Sequence, residues 1–241
     1  MSHPEIILTP EEESKLNSLL NRLLSGEPLP YLIGQQEFFG INFKVSPDVL
    51  IPRPETELLV EFALDWLLKR KKQILIADIG TGSGCIAVAI ANQIPSVKII
   101  GIDFSYKALL IAKENVIRQE LEKQINLVQA DLLKGLRVQF DCICANLPYI
   151  PTDMLSSLVV KDFEPLAALE GGKDGLRFIK PLLYQSKNRI KPNGLILLEI
   201  ESTQFQSVLN LAAIVFPTAS IRIHTDLAGL PRLVKIQLTG D

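Results

Sequence analysis

From Lys72 onward the 241-residue chain alternates short runs rich in Ile, Val and Leu with stretches of helical periodicity, and no other feature constrains the fold as much. Runs that are apolar at consecutive positions belong to strands buried on both faces, and strands separated by helix-length connections pair in parallel. The spacing predicts strands over 74–79, 97–102, 125–129, 140–145 and 195–200, with helices over 85–94, 106–119, 176–189 and 205–216. Two more strands, near 221–224 and 233–238, are close enough to pair antiparallel. The expected fold is therefore α/β, a mostly parallel sheet covered on both faces, with no internal repeat and no low-complexity segment.

The residues ahead of Lys72 read differently. Thr9-Pro10-Glu11-Glu12 has the form of a capping box with proline in the first helical turn, and Leu16, Leu19, Leu20, Leu23 and Leu24 make an apolar stripe that calls for burial. Alternating apolar residues around Gly40-Ile41-Asn42 suggest a hairpin within 37–50. Pro52 and Pro54 flank Arg53 and stiffen 51–57, which serves either as a plain linker or as a held, charged segment. A helix marked by Leu59, Phe62, Ala63, Trp66 and Leu67 closes with Lys69-Arg70-Lys71-Lys72, a solvated run suited to a helix C-terminus.

Composition narrows the partners. A net charge of −2, from 25 Lys and Arg against 27 Asp and Glu, gives no global attraction to nucleic acid or anionic lipid. Cys85, Cys142 and Cys144 cannot all pair, and with only His3 and His224 as histidines they read as core residues of a reducing compartment rather than zinc ligands. No run of roughly 18 apolar residues is present, so a soluble, cytoplasmic monomer without a membrane partner is expected.

The candidate chemistry sits at predicted strand ends. Asp78-Ile79-Gly80-Thr81-Gly82-Ser83-Gly84 follows the first strand of the alternating region, and its glycine spacing is tighter than the G-x-G-x-x-G of dinucleotide-binding loops. It suits an amino-acid-like tail or a ribose. Asp103 ends the second strand, where a ribose diol is held, and Asp131-Leu132 follows the third, where a carboxylate and an apolar wall can take an adenine. Each Asp alone is ordinary strand-end turn chemistry, but three polar sites along one edge of one sheet fit S-adenosylmethionine. Asn146-Leu147-Pro148-Tyr149 ends the fourth strand. By itself it is a turn; beside a methyl donor, its amide oxygen and next carbonyl can grip a planar –NH2 group, with Tyr149 packed on the amide plane.

Taken together, residues 49–57, 78–84 and 146–149, Phe163-Glu164-Pro165 with Gly171-Gly172-x-Asp174-Gly175-Leu176, and Leu198-Glu199-Ile200 resemble the HemK/PrmC family of protein-glutamine methyltransferases over nearly the whole chain. The resemblance implies a class I S-adenosylmethionine-dependent methyltransferase fold. This is a seven-stranded, mostly parallel sheet with an antiparallel last strand, preceded by a short N-terminal helix and β-hairpin. It implies methylation of the glutamine in the Gly-Gly-Gln motif of a peptide-chain release factor. S-adenosylmethionine contacts would come from Asp78, Gly80, Thr81, Gly82, Ser83, Gly84, Asp103, Asp131, Leu132 and Asn146, and catalysis and glutamine binding from Asn146, Leu147, Pro148 and Tyr149. The expected organisation is a helical substrate-docking remnant over 1–34, a hairpin and linker over 35–55 and a catalytic domain over 56–241. Departures from the family pattern are Leu147 for the usual Pro, Glu201 for Gly, and an N-terminal region reduced to one evident helix. A nucleic-acid methyltransferase acting on exocyclic amines and a cofactor-binding homologue without activity are the alternatives.

Overall fold

The computed structural model describes residues 7–70, 72–157 and 159–240, so His3 and Lys71, singled out above, lie outside the described residues. Helix α1 (Pro10–Leu24) starts with the expected capping box: Thr9 Oγ1 accepts the Glu12 N–H, and Glu12 accepts the Thr9 N–H at 2.8 Å. Its apolar stripe is not buried as expected. No residue of α1 is buried, and Leu16, Leu20 and Leu23 are each at least 40% exposed, where α1 packs against the five-residue α2 (Leu29–Ile33).

Strands β1 (Gln35–Phe38) and β2 (Ile41–Lys44) form the predicted hairpin, with its turn one residue earlier than the sequence pattern suggested. Phe39 and Gly40 both take positive φ, 52° and 72°, as a two-residue hairpin turn with right-handed strand twist requires. That conformation is uncommon for phenylalanine, and Glu57 stabilises it by accepting the Phe39 N–H at 2.7 Å. Phe38 and Phe43 pack edge to face, 6.1 Å apart, in the same core as α3 (Glu57–Leu68).

Beyond α3 the strand and helix alternation appears as expected: β3 (Leu75–Ile79), α4 (Cys85–Gln93), β4 (Lys98–Asp103), α5 (Tyr106–Arg118), β5 (Ile125–Gln129) and β6 (Phe140–Ala145). Then come α6 (Leu166–Leu169), α7 (Ile179–Ser186), β7 (Ile190–Glu199), α8 (Phe205–Val215), β8 (Ser220–Thr225) and β9 (Pro231–Gln237). The sheet order is β5-β4-β3-β6-β7-β9-β8, with β9 running against both its neighbours. Ile76, Cys142, Cys144, Leu195 and Leu197 face α3 and α4, while Ala77, Ile79, Ile143, Ile196 and Leu198 face α7 and α8. Burial on both faces is why β3 and β6 are apolar at every position except Asp78 and Asp141. The Sγ atoms of Cys142 and Cys144 lie 3.8 Å apart on one face, and all three cysteines are free.

The boundary between α7 and β7 differs from the sequence expectation. Lys191-Pro192-Asn193-Gly194 has turn composition, yet β7 already pairs at Ile190 with Phe140, and a register irregularity before Leu195 absorbs the extra residues. Asn193 takes φ 58° there.

Candidate active site

β3 and β6 are adjacent, but the chain leaves β3 toward β4 and β5 on one side and returns through β6 to β7 on the other. Such a reversal opens a crevice beyond the carboxyl ends of the strands. A cavity of about 610 Å³ lies there, lined by Gly80–Ser83, Asp103, Asp131, Leu132 and Asn146–Pro148 together with segments from 48–56 and 165–168.

The glycine loop is held largely by its own backbone. The N–H groups of Gly80 and Thr81 both donate to the Ile102 carbonyl, at 2.8 and 3.0 Å, and the Gly82 N–H donates to the Asp103 carboxylate at 2.9 Å. Gly80 adopts φ 70°, and a Cβ there would come within 3.1 Å of Leu147 Cδ2 and 3.3 Å of the Asn146 carbonyl. The loop is thus pressed directly against the Asn146 turn. Asp103 also accepts the Ser105 N–H at 2.9 Å, and burial pushes its carboxyl above the usual carboxylate range. Asp78 is fully buried behind the loop and accepts the Thr81 hydroxyl at 2.6 Å. Burial raises it to about 7, and its Oδ1 has no hydrogen-bond partner. Leu132 is buried at φ 54°, whereas the Asp131 carboxylate is exposed and pairs with Lys134.

The opposite rim is assembled from distant parts of the chain. Asn146 Nδ2 donates to Thr56 Oγ1 at 3.0 Å, and Thr56 ends the short turn that follows Arg53. Arg53 donates to the buried Glu164 at 2.5 Å; burial pushes this carboxyl up and the guanidinium opposes the shift. Tyr149 hydroxyl donates to Glu199 Oε1 at 3.4 Å, and the Tyr149 carbonyl accepts Gln204 Nε2 at 2.7 Å. Burial raises Glu199 to about 7. Gly175, at φ 72°, lies beneath this network, where a Cβ would sit 1.8 Å from Gln204 Nε2 and 2.2 Å from the Tyr149 carbonyl. The Gly-Gly-x-Asp-Gly run exists because backbone must pass this close.

Of the residues expected at the site, Gly80, Thr81, Gly82, Ser83, Asp103, Asp131, Leu132, Asn146, Leu147 and Pro148 line the one cavity. Asp78, Gly84 and Tyr149 stand behind its wall: Asp78 braces the loop, Gly84 opens α4, and the Tyr149 hydroxyl points to Glu199. Sequence reasoning gave no separate role to Thr56 or Phe104, which line the cavity, or to Gln204, which holds the Tyr149 carbonyl. Thr56 lies within the proline-stiffened segment, which was a usable signal; Gln204 had none. Glu201 is the N-cap of the turn over Ser202–Gln204, accepting the Thr203 N–H at 2.7 Å, so its charge sits where a helical start favours it. Among the described residues no cluster of His, Cys, Asp and Glu could hold a metal ion, and no helix is long and apolar enough to cross a membrane.

Comparison with known proteins agrees with this architecture. Residues 1–34 match a family model described as the PrmC N-terminal domain, and residues 54–167 match one described as ribosomal protein L11 methyltransferase (PrmA). The second match spans less than half the chain and contains the glycine loop, Asp103, Asp131 and Asn146. A release factor glutamine methyltransferase from Thermodesulfovibrio yellowstonii is 41% identical, with 98% of this chain and 84% of that protein covered. The protein so named from Koribacter versatilis is 40% identical over 97% of this chain and 82% of its own length. A solved structure, the protein-(glutamine-N5) methyltransferase (release factor-specific) from Alicyclobacillus acidocaldarius, aligns with TM-score 0.51 at 28% identity, covering 82% of this chain and 99% of that one.

Proposed function

The chain belongs to the release factor glutamine methyltransferase family, and from that premise we propose that it methylates the side-chain amide nitrogen of the glutamine in the Gly-Gly-Gln motif of a peptide-chain release factor, with S-adenosylmethionine as donor. The observation that carries the reading is the direct contact of two motifs in one cavity: the glycine loop packs on Asn146 and Leu147, so a donor on the loop and an amide on the turn would be neighbours.

The residues fit the donor. Gly80–Ser83 offers close backbone approach for an amino-acid tail, Asp103 an acceptor for a ribose diol, and Asp131 with Leu132 a polar and an apolar contact for an adenine. When bound, S-adenosylmethionine supplies an electrophilic methyl group.

The rest of the work falls to the protein. An amide nitrogen is a weak nucleophile because its lone pair is delocalised into its carbonyl. Asn146 Oδ1 and the Leu147 carbonyl would each accept one of its N–H bonds, fixing its orientation and stabilising the positive charge that develops on it. The nitrogen becomes acidic only once methylated, so its proton can leave to water without a dedicated base. His224 lies outside the cavity lining, its ring tilted 43° against that of Phe62 with centroids 4.1 Å apart. Leu147 keeps the acceptor that a proline would offer at that position, since the carbonyl is common to both. In this reading Tyr149 anchors the turn through its hydroxyl and its carbonyl.

The test is incubation with a release factor and labelled S-adenosylmethionine, followed by mass-spectrometric mapping of the methyl group. Asn146→Ala is expected to lower kcat by about 10² to 10³ with donor affinity within about threefold, the scale seen when one preorganised polar contact to developing charge is removed. Transfer to another residue or to RNA, or undiminished transfer by the Asn146 variant, would overturn the proposal.

A further inference from the structure

We infer that Arg53 holds the carboxylate of the donor's amino-acid tail, with the buried Glu164 as the residue that positions its guanidinium at the cavity wall. The inference deepens the reading of the cavity as an S-adenosylmethionine site and rests on that reading, but not on the identity of the methyl acceptor.

An amino-acid tail carries a carboxylate into the cavity, and a carboxylate needs several hydrogen-bond donors once it leaves water. The glycine loop has few to give. The N–H groups of Gly80 and Thr81 go to the Ile102 carbonyl, that of Gly82 to Asp103 and that of Gly84 to the Thr81 carbonyl, which leaves the Ser83 N–H. The Thr81 hydroxyl is committed to Asp78. Among the described residues, the cations in the cavity lining are Arg53 and Arg177.

Charge and place both choose Arg53. Arg177 faces Glu170 at 3.9 Å, and both line the cavity, so that pair is closed on itself. Arg53 donates from Nη2 to Glu164 Oε1 at 2.5 Å, and Glu164 stands outside the lining with its side chain fully buried. The Arg53 side chain is 35% exposed, and among the described residues no other hydrogen bond takes its remaining side-chain N–H groups. The Thr56 N–H closes a turn onto the Arg53 carbonyl at 3.0 Å, Thr56 Oγ1 accepts Asn146 Nδ2, and the Asn146 carbonyl lies against Gly80. Arg53 is thus on a turn tied to the head of the glycine loop. Arg177 is tied elsewhere, its N–H donating to the Gly171 carbonyl and the Gly171 N–H to that of Ile150, beyond the Asn146–Tyr149 motif.

The turn is also built to hold a guanidinium still. Pro52 and Pro54 fix φ on either side of Arg53. Ile51 and Phe163 share one small core with Tyr31 and Val49, which delivers Arg53 and Glu164 to each other across 111 positions. Glu164 Oε2 has no hydrogen-bond partner, so Arg53 is what offsets the loss of water around that carboxylate. A guanidinium with one N–H on Glu164 keeps donors in the same plane for a second carboxylate, a bidentate geometry that lysine lacks.

The test compares two ligands by calorimetric titration of the whole chain: S-adenosylmethionine and its decarboxylated form, which differ only in the carboxylate. Arg53→Gln is expected to weaken S-adenosylmethionine binding about thirtyfold and the decarboxylated form by less than about threefold, the scale of a charge-assisted contact. Arg53→Lys keeps the charge but loses the fork, and should recover part of that loss. Glu164→Gln should weaken S-adenosylmethionine alone, by about threefold to tenfold. A merely structural role would lower both affinities together, so the same factor of loss for both ligands in Arg53→Gln and Arg53→Lys would overturn the inference. S-adenosylmethionine binding by Arg53→Gln within about twofold of wild type would overturn it too, and a raised KM for the release factor beside that result would assign Arg53 to the acceptor peptide instead. If the wild type binds neither ligand, the reading of the cavity fails and the inference with it. If it binds both but methylates no glutamine, the proposed acceptor alone fails.

Discussion

The rim formed by Gly80–Ser83 and Asp103 is held chiefly by backbone N–H groups reaching a neighbouring strand and an adjacent aspartate, whereas the Asn146–Tyr149 rim is held by side chains from residues 56, 199 and 204. Backbone satisfied locally tolerates many sequences, provided glycine stands where φ is positive. A rim of buried side-chain bonds has no such slack, because each partner removed leaves another buried group without its bond. The donor side should therefore respond to substitution gradually, and the amide side abruptly.

The sharpest way to break that contrast is at Gly175. Gly175→Ala would drive a Cβ into Gln204 and the Tyr149 carbonyl at a positive φ, and a loss of about 3 kcal/mol or more is expected in denaturant unfolding. A loss under about 1 kcal/mol would mean that the amide side yields as easily as the donor side.

Next in size is a pH effect. Burial holds Glu199 protonated up to about 7, against 4.5 as its ordinary value. Between these values the folded protein keeps a proton that the unfolded chain has released, so stability falls as pH rises from about 4.5 to about 7. Glu199→Gln lacks this slope. Relative to wild type its stability should rise by on the order of 2 to 3 kcal/mol across that window, read as the difference in unfolding free energy at pH 4.5 and 7.5. Asp78, also raised to about 7 by burial, keeps its own slope in both proteins. A constant difference between the two proteins would show that the Glu199 carboxylate is not strained by burial.

On the donor side, Asp103→Asn should weaken S-adenosylmethionine binding by about tenfold and lower stability by about 1 to 2 kcal/mol, since one amide oxygen can accept the Gly82 N–H or the Ser105 N–H but not both. Calorimetric titration checks this, and a loss as large as that of Asn146→Ala in kcat would erase the asymmetry between the rims. The smallest effect is expected for Leu147→Pro. The carbonyl survives, and what is lost is the Leu147 side chain packed on Gly80, so kcat should stay within about threefold and stability fall by about 1 kcal/mol.

The two rims also differ in how visible they are in the chain. Gly80, Asp103 and Asp131 each follow an apolar run closely, so the strand pattern carries them to one edge of the sheet before any contact is known. Asn146 is legible for the same reason. Its supports are not: Thr56 lies 90 positions away and Gln204 looks like any surface glutamine. Tyr149 shows the same division, since its place in the motif is legible while the partner of its hydroxyl, Glu199, lies 50 positions away. The stripe on α1 shows the converse. A local pattern correctly announced a helix but said nothing of what covers it, and no residue of that helix is buried.

Strand and helix periods, the capping box at Thr9, the glycine loop and the polar residues closing each strand are local properties, set by backbone geometry and the burial of alternating faces, and the sequence by itself determined them. Which residue holds Asn146, which carboxylates are stripped of water, and why Gly175 admits no side chain depend on segments far apart in the chain meeting at sub-ångström tolerance. Those were decided only by the tertiary structure, because close packing and hydrogen-bond direction exist between surfaces and not along a chain.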